Sequence, residues 1–206
     1  MHVLILNGSP HKNGNTSIAL KEMEKIFEQA GATWEMISLG QMDIRSCIGC
    51  NSCSKTGRCV FDDLVNETAP KLEAADGLVL ASPVYYAGPN PTLTAFVTRL
   101  FYSTSFSKNM KVGASVVVAR RGGTTAAFDA LNKFFTISGM PIASGRYWNN
   151  VFGCVPGEAE ADAEGLRNVR IVARNMVFLM RSIALGKEAF GLPEIEQGPA
   201  TNFIRP

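Results

Sequence analysis

The segment His2-Val3-Leu4-Ile5-Leu6-Asn7-Gly8-Ser9-Pro10-His11-Lys12-Asn13-Gly14-Asn15-Thr16-Ser17 reads as a buried strand, a polar loop and the start of a helix. The apolar run from His2 to Leu6 stops at Asn7-Gly8-Ser9-Pro10, a cluster of turn-forming residues. From Thr16 to Ala30, Ile18, Ala19, Met23, Ile26 and Phe27 recur at helical spacing, and Gly31 closes the segment.

The same alternation continues outward. Thr33 to Leu39 reads as a second strand, and Gly40 to Phe61 as a cysteine-bearing loop. Asp62-Asp63 opens a helix to Ala75, with acidic residues at its positive end. Gly77 to Ala81 is a third strand, stopped by Ser82-Pro83. A helix follows from Pro91 to Tyr102, with Leu93, Phe96, Val97 and Leu100 on one face. Lys111 to Ala119 holds Val116-Val117-Val118, the continuous apolar run of a strand covered on both faces. A helix is expected over Thr124 to Ile137, a short strand over Pro141 to Ser144, and a last helix from Glu158 to about Leu185. This pattern predicts an α/β, doubly wound, five-stranded parallel sheet of flavodoxin-like order 2-1-3-4-5, with the cysteine loop as an insertion. Residues 1–185, including loop 40–61, form one domain on this reading. Residues 186–206, rich in Gly and Pro, form a tail that lies across a partner subunit.

The 206 residues are consistent with one domain, and 46% hydrophobic content is enough for a substantial core. A net charge of +2 with scattered basic residues argues against nucleic acid. No apolar run approaches the roughly 20 residues of a membrane span. The apolar run that starts at His2 reads as a strand rather than a signal peptide, and the retained thiols then point to a cytoplasmic protein.

In such sheets, ligands sit beyond the carboxyl ends of the strands, which selects three loops. In the first, backbone N–H groups at the helix start point at an anion such as a phosphate monoester. Ser9, Asn13, Asn15, Thr16 and Ser17 offer donors there, with His11 or Lys12 screening the charge. The loop has neither the Walker spacing nor Gly-x-Gly-x-x-Gly, which disfavours a dinucleotide. The second loop, Ser82-Pro83-Val84-Tyr85-Tyr86-Ala87-Gly88-Pro89-Asn90-Pro91, is stiff and carries two aromatics suited to a flat isoalloxazine ring. Adjacent tyrosines cannot both face one ligand, so one of Tyr85 and Tyr86 is expected to pack elsewhere. The third loop, Ala119-Arg120-Arg121-Gly122-Gly123-Thr124, allows close backbone approach beside a guanidinium that stabilises negative charge on a reduced flavin. An N-capped helix, packed aromatics and a surface arginine pair are the purely structural alternatives.

Cys47-Ile48-Gly49-Cys50-Asn51-Ser52-Cys53, followed by Cys59, places four thiols in one short loop. Thiolates in an irregular, small-residue loop can hold a cubic iron–sulfur centre. Disulfides, structural zinc and free or catalytic thiols compete with this reading. Five cysteines are an odd number, and zinc ribbons separate their Cys-x-x-Cys pairs more widely. Cys154 reads as buried packing or a pocket wall.

Together these loops resemble the flavodoxin-like NADPH-dependent FMN reductases, and most closely the iron–sulfur flavoproteins within that group. Gly8-Ser9-Pro10-His11-Lys12-Asn13-Gly14-Asn15-Thr16 is similar to the family's FMN-phosphate loop, and Ser82-Pro83-Val84-Tyr85-Tyr86 to its flavin-ring loop. Cys47, Cys50, Cys53 and Cys59 are spaced like its [4Fe-4S] motif. The likeness covers Met1 to about Leu185. One departure is His11, where the family often has arginine. Histidine donates a hydrogen bond but carries charge only at lower pH.

The resemblance implies an FMN-dependent electron-transfer oxidoreductase, reduced by NAD(P)H or ferredoxin. Quinones, oxygen species or small organic molecules are the expected acceptors. It also implies a homodimer or homotetramer in which the cysteine loop of one subunit approaches the flavin of another. On this reading no side chain acts as nucleophile or general base, because the cofactors carry the chemistry. Substrate choice is expected in Tyr147 to Gly157 and the cysteine loop. The alternatives are a cluster-free NAD(P)H-dependent FMN or quinone reductase and a non-enzymatic flavodoxin-like electron carrier.

Overall fold

Alternate residues of the central strands are apolar toward both sides, so each strand serves two cores at once. On β1 (His2–Asn7), Val3 and Ile5 enter one core while Leu4 and Leu6 enter the other. On β3 (Gly77–Tyr85), Val79 and Ala81 face the first core, and Leu78 and Leu80 the second. In the computed structural model, which describes residues 1–199 and residue 201, helices α1 (Asn15–Gln29) and α6 (Ala163–Phe190) cover one face. Helices α3 (Leu64–Ala74), α4 (Pro91–Ser103) and α5 (Thr124–Thr136) cover the other.

The parallel strands β2 (Thr33–Ser38), β1, β3, β5 (Val112–Ala119) and β6 (Asn150–Phe152) lie in that spatial order. The two-residue strand β4 (Gly88–Pro89) is an antiparallel addition to the end of β3. With that hairpin set aside, the order is the predicted 2-1-3-4-5. A short helix α2 (Cys53–Thr56) lies inside the cysteine loop.

Besides β3, which runs on to Tyr85, the fifth strand and the last helix differ from the sequence-based expectation. Pro141 to Ser144 makes only an isolated bridge, Gly113 to Ile142. The fifth strand forms later, with Val117 to Ala119 paired to Asn150 to Phe152. The first stretch meets β5 only at Gly113, and buried Asn168 of α6 then takes up the backbone of residues 146–148. Its carboxamide oxygen accepts the N–H groups of Arg146 and Tyr147, and its nitrogen donates to the carbonyls of Tyr147 and Trp148. Those groups are thereby withdrawn from a sheet ladder. A Cβ on Gly145 would stand 2.2 Å from the same oxygen, so the chain must cross there as glycine.

The last helix also begins later than Glu158. A single 3₁₀ turn spans Glu158–Ala161, and Asp162 then caps α6 by accepting the N–H of Gly165 at 2.9 Å. The other Asp162 oxygen accepts the N–H of Phe152, tying this cap to β6. Helix α6 continues past the expected end to Phe190. The expected tail falls partly outside the described residues, which stop at 199 apart from residue 201.

Candidate functional site

The carboxyl ends of the parallel strands bring the loops after β1, β3, β5 and β6 to one edge. The first loop is closed by its own polar groups. The N–H of Ser9 donates to Asn7 Oδ1 at 2.9 Å, that of His11 to Ser9 Oγ at 3.2 Å, and that of Gly14 to the His11 carbonyl at 3.0 Å. Ser17 Oγ donates to the carbonyl of Lys12 at 2.8 Å. Helix α1 starts after Gly14 without a side-chain cap or an acidic residue in its first turn. Among the described residues nothing accepts the N–H groups of Asn15 and Thr16. Unpartnered amides at the positive end of a helix make an anion seat.

Not every predicted donor is free. The Asn15 carboxamide is engaged by protein: Nδ2 donates to the Val155 carbonyl at 3.0 Å. Its Oδ1 accepts the N–H groups of Gly157 at 3.1 Å and Ala159 at 3.2 Å. Asn15 therefore joins the first loop to the one after β6. Ser9, Thr16 and Ser17 are buried, while His11, Lys12 and Asn13 are exposed.

Strand β3 continues past Ser82-Pro83 into a hairpin whose two tip residues, Tyr86 and Ala87, have φ of 49° and 62°. Positive φ at both central positions is the type I′ pattern of two-residue hairpin turns, which normally selects Asn and Gly. Holding a tyrosine and an alanine there stores strain of about 1–2 kcal/mol per residue. Ser82 and Asn90 hold the hairpin base: the Asn90 N–H donates to Ser82 Oγ at 2.7 Å, and Asn90 caps α4. Pro83 and Val84 are half-buried, and both Tyr85 and Tyr86 are exposed. The two differ in degree: Tyr85 keeps 40% of its surface exposed, whereas Tyr86 is fully exposed. Ala87→Gly should therefore raise the melting temperature by the equivalent of about 1 kcal/mol. A thermal scan showing no gain would remove the strain argument.

The third loop packs on that hairpin. A Cβ on Gly123, whose φ is 89°, would stand 2.8 Å from Ala87 Cα and 3.2 Å from Val84 Cγ1. Arg120, Arg121 and Gly122 are exposed beside it. Cys154, expected to be buried or in a pocket wall, is exposed on the loop after β6. Glu158 accepts the N–H groups of Cys154 and Val155, and these bonds, with the charge of Arg120, outweigh desolvation and hold its carboxyl below the ordinary range.

The four clustered cysteines are unpaired and line one cavity of about 270 Å³, together with Phe61, Arg99 and Tyr102. Cys47 and Cys50 are exposed, and Cys53 and Cys59 are half-buried. Among the described residues no three His, Cys, Asp or Glu side chains are grouped so as to hold one metal ion. Cys59 is held firmly: its N–H donates to Asn66 Oδ1 at 2.9 Å, and Asn66 Nδ2 donates back to its carbonyl at 3.0 Å.

Sequence reasoning missed Arg99, Asn66 and Gly40. Arg99 had a signal, because it occupies a helical face otherwise occupied by Phe96 and Leu100. It is 1% exposed and forms a two-bond ion pair with Asp63 at 2.8 and 2.9 Å. Burial alone would lower its pKa, but hydrogen bonds to Asp63 and Cys59 hold the guanidinium above its ordinary value. Gly40 had no signal, since only the folded chain brings it against Ser9 and Pro10.

The family model for NADPH-dependent FMN reductases matches residues 1–153. An iron–sulfur flavoprotein of Methanocaldococcus jannaschii is 31% identical over 191 residues, covering 89% of this chain and 99% of that protein. The structure of an NAD(P)H:quinone oxidoreductase from Methanothermobacter marburgensis superposes with a TM-score of 0.67 at 20% identity, over 85% of this chain and 96% of that one. A flavodoxin from the domain Archaea superposes with a TM-score of 0.56 at 12% identity, over 89% of this chain and 99% of that one. The last two likenesses carry the fold, and the sequence matches carry the family. The loops at the strand ends thus belong to an FMN-binding flavodoxin-like fold, and the chain is a flavin-dependent oxidoreductase of the iron–sulfur flavoprotein and NADPH-dependent FMN reductase family.

Proposed function

We propose that this oxidoreductase is an iron–sulfur flavoprotein, with FMN at the strand ends and a [4Fe-4S] cluster on Cys47, Cys50, Cys53 and Cys59. The observation that carries the cluster reading is the convergence of all four thiols on one cavity beside a buried guanidinium. A cube spreads its irons over several corners, so its ligands need not converge on a single point as those of one zinc ion must. When bound, the two cofactors supply hydride and single-electron transfer. The chain supplies the seat: the N–H groups of Asn15 and Thr16 for the phosphate, and the hairpin at Tyr85 and Tyr86 with Gly122 and Gly123 for the ring. Arg120 is near enough to Glu158 for its charge to lower the carboxyl's pKa, and it stays exposed beside the ring loop.

The cavity borders the carboxyl-terminal half of α4, at Arg99, Tyr102 and Ser103, whereas α4 begins at the hairpin. Eight residues of helix separate Pro91 from Arg99, a rise of about 12 Å. Exposed Ile48, Val60 and Tyr102 line the cavity with apolar surface. A second subunit covering that surface would bring its own flavin to these thiols, and a homodimer or homotetramer follows from this reading. NAD(P)H or ferredoxin is the proposed electron source, and a cytoplasmic location accords with exposed thiols. Among the described residues no helix is long and apolar enough to cross a membrane.

Anaerobically purified protein should contain FMN, iron and sulfide, and should show a broad absorption beneath the flavin bands. Cys47→Ser should abolish the broad absorption and keep the FMN. An unchanged spectrum in Cys47→Ser rules out the cluster. A cluster-free FMN or quinone reductase is the second reading, favoured by the exposure of Cys47 and Cys50 and by the absence of a close ligand trio among the described residues. Full NAD(P)H–quinone turnover by iron-free protein would select it.

A further inference from the structure

We propose that Arg99 sets the reduction potential of the thiol centre and fixes Cys59 as its preformed ligand, an inference that rests on the cluster reading above. Nε and Nη2 of Arg99 both donate to Cys59 Sγ, at 3.3 and 3.2 Å. Nη1 donates to the carbonyl of Arg45 at 3.3 Å, while Nη1 and Nη2 bind the two oxygens of Asp63. Arg45 precedes the first cysteine and Asp63 follows the last, so one guanidinium closes the base of the whole loop. Phe61 is flanked by both arginines, with the guanidinium carbons of Arg99 and Arg45 at 5.0 and 5.3 Å from its ring centroid.

A neutral thiol is a weak acceptor, and a fork of two charged N–H groups fits a sulfur that carries negative charge, as a metal-bound thiolate does. Asn66 holds the Cys59 backbone from the other side. Residues 46–50, by contrast, make no hydrogen bond among the described residues. Cys59 is therefore in place before the cluster arrives, and the exposed cysteines close upon it.

The same contacts act on electron transfer. A cluster held on these thiols would supply single-electron chemistry, and its reduced form would carry extra negative charge partly on its sulfur ligands, Cys59 Sγ among them. N–H donors and a buried cation on one of those sulfurs favour the reduced form. Asp63 opposes that effect by neutralising part of the guanidinium charge.

Two substitutions shift the potential in opposite directions. Arg99→Gln removes the charge and should move the cluster midpoint to more negative values, with iron lost to a chelator about tenfold faster. Asp63→Asn keeps an N-cap residue and one acceptor for the guanidinium, loses the bond to Nη1 and lifts the neutralisation, so its midpoint should move to more positive values. Both are read by mediated redox titration followed by electron paramagnetic resonance, on protein checked for fold by circular dichroism and for iron and flavin content. Full iron with unchanged midpoints in the folded variants overturns the role of Arg99. If Arg99→Gln fails to fold, the sign of the Asp63→Asn shift decides alone. Wild-type protein that holds FMN but no iron refutes the cluster reading itself, and this inference with it.

Discussion

Gly40→Ala is expected to weaken FMN binding by about 10–100-fold, although residue 40 belongs to no recognisable motif. A Cβ there would stand 2.2 Å from the carbonyl carbon of Ser9, 2.3 Å from the nitrogen of Pro10 and 2.4 Å from the Ser9 oxygen. All three atoms are backbone, so no side-chain rotation relieves the clash and the first loop must move. The neighbouring Gln41, whose Nε2 donates to the Pro10 carbonyl at 2.7 Å, would be displaced with it. Losing one hydrogen bond to a charged group costs about 1.5–3 kcal/mol, which gives the stated range. Overpacking should also cost about 1–3 kcal/mol of stability. Fluorescence titration with FMN and with riboflavin checks the assignment, since riboflavin lacks the phosphate and should lose much less. Wild-type affinity for FMN in this variant would place the phosphate elsewhere.

The difference between motif and scaffold explains what could be read from the sequence. Strands β1, β3 and β5 are apolar on both faces, and helices α1 and α4 carry clear periodicity, so the alternation followed from local pattern and the order 2-1-3-4-5 from the fold it suits. Strand β6 could not be found that way. It has three residues and begins with Asn150, and its position depends on the contact between Asn168 and residues 145–149. Periodicity records what a segment buries, and a buried polar contact from a distant helix leaves no periodic trace.

The candidate site divides along the same line. The donors of the first loop and the cysteine spacing were visible because they lie close together in sequence. The use of each donor was not. Asn15 looked like a phosphate ligand by its place in the loop, yet its partners are more than a hundred residues away, at Val155, Gly157 and Ala159. Arg99 and Asn66 likewise reach the last cysteine from α4 and α3. Strain at Tyr86 and Ala87 was hidden for another reason: Tyr-Ala is not a sequence that favours a tight turn, and tertiary packing against Gly123 accompanies it.

Asn15 allows the phosphate seat to be separated from the wall it supports. Asn15→Asp retains the acceptor for the N–H groups of Gly157 and Ala159, but sets a carboxylate oxygen against the Val155 carbonyl where Nδ2 now donates at 3.0 Å. A carboxylate near the start of α1 favours the helix by about 0.3–1 kcal/mol, which offsets part of that repulsion, so the melting temperature should fall less than in Asn15→Ala. The same charge faces the phosphate of FMN. Like charges about 6 Å apart, at an effective dielectric constant near 20, repel by about 3 kcal/mol, which corresponds to roughly a hundredfold loss of affinity. Riboflavin binding should be nearly unaffected, and added salt should recover part of the FMN affinity. Asn15→Ala should behave in the opposite way. It strips the acceptor from two backbone N–H groups, at about 1–3 kcal/mol each where water does not replace it, so stability falls and the loop after β6 loosens. FMN and riboflavin should then weaken together. If Asn15→Asp binds FMN as tightly as the wild type, the unpartnered amides of Asn15 and Thr16 do not hold the phosphate.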